Sequence, residues 1–276
     1  MNSKLVWACA IAVTTVSLGC EEKKAENLAP TSSALAPAEK PTQSAITFAI
    51  ENKGSKVTFL MDAPIEKIHG EATDASEGQF HVDLMDTSKT TGLIKVDLDK
   101  LALFQQKRED EQGEFSEKTK SDKQNEHARA WLEISEDAPK ETREKNRWAE
   151  FKINKLDEVS VKDLTKATGA ERKLTAVAVG EFRLHERKTD KKAKIEAIFK
   201  FEGDKPVSVS VKTVEPMAVG LEEHDVRPRE AFGKLAQKTL GALGNKVAAQ
   251  APIQLELSAK VGGDGAKPAT EEKGGY

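Results

Sequence analysis

Eight stretches of this chain alternate apolar and polar residues with a period of two, and that pattern restricts the fold more than any other feature. Successive side chains of a strand point to opposite faces, so each stretch reads as a strand buried on one side only. Lys56 to Met61 places Val57, Phe59 and Met61 on one face. Gln79 to Leu84 aligns Phe80, Val82 and Leu84, and Leu93 to Leu98 aligns Ile94, Val96 and Leu98. Phe151 and Ile153 alternate with charges, and Leu174 to Leu184 puts Leu174, Ala176, Ala178, Gly180, Phe182 and Leu184 together. Ile195, Ala197, Phe199 and Phe201 follow, then Val207, Val209 and Val211, and finally Ile253, Leu255 and Leu257. Asp190, among Lys191 and Lys192, is expected to turn a hairpin between two of the longest strands.

Only two segments have a helical period. Gln124 to Glu133 carries Ala128, Trp131 and Leu132 on one stripe, and Pro228 to Val247 carries Phe232, Leu235, Ala236, Leu240 and Leu243 behind a favourable starting proline. Many one-sided strands with few helices imply an antiparallel sheet closed on itself. The expected fold is therefore mainly β: an antiparallel, lipocalin-like β-barrel with one or two helices and a charged insertion. The insertion is Gln105 to Arg147, with 22 charged residues among 43, and it reads as a solvated helix-and-loop excursion or a partner surface. A barrel of about eight strands is wide enough to hold one small ligand. Alternating Phe and Val build a solid barrel core equally well, and the pattern leaves that choice open.

The ends have different compositions. Residues 1–19 read as a lipoprotein signal peptide, with Lys4 ahead of the charge-free run Leu5 to Leu18. The run ends at Gly19-Cys20 and turns polar at Glu21, which makes Cys20 the expected site of lipid (palmitate-type) acylation and the membrane anchor. Cys9 lies inside the signal, so the mature chain keeps one cysteine and no disulfide framework. Residues 20–44, with Pro30, Pro37 and Pro41, are expected to be a lipidated cysteine followed by a disordered linker. The barrel domain is placed at 45–261 and a disordered tail at 262–276. This organisation implies a bacterial envelope protein facing the periplasm, with an outer-membrane address preferred because Glu21 is not an inner-membrane retention signal.

Little in the sequence points to catalysis. A formal charge of −3 argues against a nucleic-acid partner. The five histidines, His69, His81, His127, His185 and His224, have no metal-ligand spacing, so neither metal nor cofactor is expected. No nucleophile elbow or dinucleotide fingerprint occurs, no catalytic residue is assigned, and the chain is not expected to be an enzyme. His81 on a polar strand face and His127 in a charged helix read as solvated. Arg227 and Arg229 flank Pro228 at a helix start, where a phosphate gains guanidinium and backbone N–H contacts. Salt bridges to Glu222, Glu223 or Asp225 are the alternative.

The order of the strands resembles the YceI family of bacterial envelope proteins. The resemblance is carried by Ser55-Lys56-Val57-Thr58-Phe59, Ile68-His69-Gly70-Glu71 and Gly78-Gln79-Phe80-His81-Val82. It continues through Gly92 to Leu98, Ala130-Trp131-Leu132-Glu133, Ala149 to Ile153, Gly180-Glu181-Phe182-Arg183-Leu184-His185 and Arg229-Glu230-Ala231-Phe232-Gly233. Glu186 departs from the pattern, standing where the family usually has Gly after the His. The resemblance spans roughly residues 46–260. It implies an apolar barrel interior that binds an isoprenoid-type lipid, with Phe59, Phe80, Val82, Ile94, Phe151, Phe182, Phe199 and Phe201 as ligand-binding candidates. His69 and His185, in family-like motifs, join Arg227 and Arg229 as head-group candidates. The competing expectation is a non-enzymatic envelope protein with a filled barrel, docking through the 105–147 insertion. The oligomeric state is not legible.

Overall fold

Strand β1 (Ile46–Asp62) is 17 residues long, enough to serve two walls. In this computed structural model, residues 28–227 and 250–262 are described. The signal segment, Cys20, Arg229, the 228–247 helix and the tail beyond Gly262 lie outside the described residues.

After β1 come β2 (Glu66–Thr73), β3 (Ser76–Val82), β4 (Thr91–Asp97), β5 (Leu101–Lys107) and β6 (Thr119–Lys120). Two helices, α1 (Asp122–Trp131) and α2 (Lys140–Asn146), precede β7 (Trp148–Asp157). Then follow β8 (Glu171–Leu184), β9 (Arg187–Glu202), β10 (Lys205–Thr213), β11 (Met217–Gly220) and β12 (Gln250–Val261). Eight strands close a ring in the order β1, β3, β4, β7, β8, β9, β10, β12 and back to β1. Every pairing in it is antiparallel. Closure removes the free edges that an open sheet would present. The expected lipocalin-like barrel is the fold observed.

β1 starts at what we call the lower end, paired with β3 through Ile46 to Ala49. Its register against β12 shifts between Glu51 and Lys56, and from Lys56 onward its other edge pairs with β2 instead of β3. β2 pairs with β5, and β5 with β6, so this branch continues the wall upward on one side. α1 lies on its inner face. The Asn125 side-chain amide accepts from Leu103 N–H at 2.9 Å and donates to Leu103 O at 3.0 Å. Ser121 caps the helix, its hydroxyl accepting from Gln124 N–H, which satisfies one otherwise orphaned donor. The lower end is plugged by Leu164, fully buried in the β7–β8 loop, with Phe48 edge-on to Phe199 at 5.8 Å.

Three expectations are corrected. The β8–β9 turn is His185-Glu186, not the neighbourhood of Asp190, which pairs with Glu181 inside the ladder. Both turn residues are left-handed, with φ of 50° and 57°, the geometry of a two-residue turn matched to strand twist. The second correction concerns the linker. Residues 28–44 do not form a disordered spacer but a strap running down the outer wall. Ala29 N–H donates to Glu223 O at 2.8 Å, Ser32 N–H to Glu186 O at 2.8 Å, and Leu35 N–H to the Glu150 carboxylate at 2.9 Å. Glu39 O accepts from the Thr91 hydroxyl at 2.6 Å. The third is His81, which is not solvated: it is buried under this strap, 3.1 Å from Ala38 O, and burial pulls its pKa below the ordinary histidine value.

Candidate functional site

Inward positions at mid-height of the barrel carry small side chains. On β8 this is Ala178, and Ala193 faces it across the β8–β9 pair. Larger side chains fill the levels above and below: Phe182 and Leu184 near the top, Phe199 and Leu174 near the bottom. The consequence is a cavity of about 280 Å³ inside the ring, far more than a single water requires. The barrel is therefore hollow at its middle, and the open choice between core and cavity is decided by side-chain size.

Phe59, Phe80, Val82, Ile94, Phe151, Phe182 and Phe199 all line this cavity. Phe201 does not. It lies below the cavity in the lower plug, with the Arg172 guanidinium over its ring at 3.7 Å. The upper wall is completed by Ile68 of β2, Leu101 and Leu103 of β5, and Ala128, Trp131 and Leu132 of α1. Phe59 owes its position to Gly70, its cross-strand partner. The ring lies where a Cβ at Gly70 would stand, 2.1 Å from Cε1.

Polar side chains in the lining are few: Glu66, Thr90, Gln124, His127, Glu150 and Thr213. Glu150 is bound outward, to Leu35 N–H and to Arg183 at 3.4 Å, so its charge is neutralised under the strap. Thr90 Oγ1, near the lower end, is buried without a hydrogen-bond partner among the described residues. Glu66, Gln124 and His127 gather at the upper rim, where Gln124 Nε2 donates to Glu66 Oε1 at 3.3 Å. His127, expected to be solvated, is half-buried at this rim and stacks on Trp131 with ring centroids 6.1 Å apart. Sequence reasoning missed this trio because α1 is mostly polar, and only its docking on β5 decides which side faces inward.

The head-group candidates fare differently. His69 is on the outer face of β2, bonded to Gln106 at 2.8 Å, and does not reach the cavity. His185 is buried in the β8–β9 turn, 2.9 Å from the Glu133 carboxylate and 3.2 Å from His224 O. It ties the segment after α1 to the loop after β11 rather than lining the cavity. His224 is fully buried, edge-on to Phe182 at 5.4 Å, and burial lowers its pKa. Arg227 is ion-paired with Asp225 at 2.7 Å, the structural alternative weighed for it. Among the described residues no three His, Cys, Asp or Glu side chains are grouped as a metal site would need.

The fold and cavity define a closed antiparallel barrel with an apolar interior, a class in which the interior is the natural ligand site. No family model matches this sequence, and no curated protein matches it. Among solved structures, a polyisoprenoid-binding domain from Saccharophagus degradans implicated in plant cell wall breakdown is similar in shape. It has 12% sequence identity and a TM-score of 0.47, over 79% of this chain and 99% of that one.

Proposed function

We propose that this protein binds one apolar-chain lipid of the isoprenoid type inside its barrel, as a carrier or holder rather than a catalyst. The observation that supports this reading is the cavity of about 280 Å³ walled by aromatic and aliphatic side chains. An apolar chain gains about 25 cal/mol for each Å² removed from water, and such a wall offers little competing hydration. We place the protein in the bacterial envelope, anchored through acylated Cys20 and facing the periplasm, a reading supported by the signal-like 1–19 segment and Gly19-Cys20. The filled-barrel alternative has no counterpart to this cavity.

The test is lipid extraction from protein released and purified without detergent, followed by mass spectrometry. One long-chain lipid per protein is expected. Repeated preparations without lipid, which also fail to bind an added isoprenoid, would contradict carriage. The same preparation of Cys20→Ser should appear in the soluble fraction; persistent membrane pelleting after a high-salt wash would contradict the anchor.

A further inference from the structure

We propose that the upper rim of the cavity selects an uncharged, hydroxyl-type head group and discriminates against a phosphate on the same chain. The inference rests on the lipid-binding reading above and specifies which end chemistry that cavity takes. Three polar groups converge there. Glu66 reaches in from β2, and Gln124 and His127 stand one turn apart on α1, on the same helix face. Gln124 Nε2 and Lys107 Nζ approach the same oxygen of Glu66, Oε1, at 3.3 Å and 3.7 Å. The other oxygen, Oε2, accepts no hydrogen bond from a described residue.

A carboxylate oxygen only accepts hydrogen bonds, whereas a carboxamide and an imidazole together offer donors and acceptors. A hydroxyl both donates and accepts, so it can give its proton to Glu66 Oε2 and accept from the Gln124 carboxamide. A phosphate brings only acceptors and negative charge against the Glu66 carboxylate, and like charges repel. Lys107 is the nearest cation, but it is largely exposed, already engaged by Glu66, and outside the lining. Thr90 at the lower end supplies one hydroxyl alone, without the paired acceptor that sets the preference.

The experiment titrates farnesol and farnesyl monophosphate into the full chain by calorimetry, for wild type, Glu66→Gln and Gln124→Ala, with circular dichroism confirming each fold. Farnesol should bind wild type at least about tenfold more tightly than the phosphate. Glu66→Gln should shrink that ratio by raising the affinity for the phosphate, and Gln124→Ala should weaken farnesol severalfold. Equal or tighter phosphate binding by wild type overturns the inference while leaving lipid binding intact. So does a ratio unchanged in folded Glu66→Gln. Binding of neither compound overturns the lipid-binding reading, and the head-group inference falls with it.

Discussion

Phe59 and Gly70 show how a single position shapes the cavity. The two residues face each other across β1 and β2, and the ring occupies the space a Gly70 side chain would need. An Ala at position 70 must displace the ring, and the cavity is the open side. Gly70→Ala is therefore expected to lose ligand affinity by about tenfold while the fold persists, since one displaced aromatic costs typically 1–3 kcal/mol against barrel closure. Ligand titration with a parallel denaturant melt checks it; unchanged affinity would mean the ring relaxes along the wall instead. Glu186 is instructive in the opposite sense. Its left-handed φ of 57° is a conformation that favours Gly, and the hairpin forms with Glu there because two long strands hold it.

At the scale of elements, the strap over residues 28–44 is the largest addition to what the sequence disclosed. Its Ala, Pro, Ser and Thr composition looks unstructured because its bonds are made by backbone groups, which composition does not encode. Its strongest fastening is an ion pair on the wall: Glu150 and Arg183 are both buried, and Arg183 Nε also donates to Ser32 O at 3.1 Å. Glu150→Ala would leave Arg183 buried without its counter-charge and release Leu35 N–H. A loss of about 3–5 kcal/mol in unfolding free energy is expected, with faster proteolysis within 28–44. A loss below about 1 kcal/mol would mean the strap does not depend on this pair. The strands themselves were legible, because one-sided burial writes a period of two directly into the sequence. The inward face of α1 was not, because the long-range contact of Asn125 with Leu103 decides it.

For the whole molecule, ring closure, the lower plug and the α1-bearing branch leave an apolar space at mid-height. The alternation of Phe and Val could not distinguish this from a solid core, since both give the same inward pattern. What distinguishes them is the pair Ala178 and Ala193, where small residues meet across adjacent strands and line the cavity. Ala178 lines the cavity, so a large side chain there has empty volume to enter. The most direct measurement is therefore bound lipid per protein together with the denaturation midpoint, for wild type and Ala178→Phe purified side by side without detergent. Near-stoichiometric lipid in wild type, lost in Ala178→Phe with stability changed by less than about 1 kcal/mol, is the predicted result. No lipid in either protein, with Ala178→Phe destabilised by the roughly 1–3 kcal/mol of an overpacked core, would contradict it.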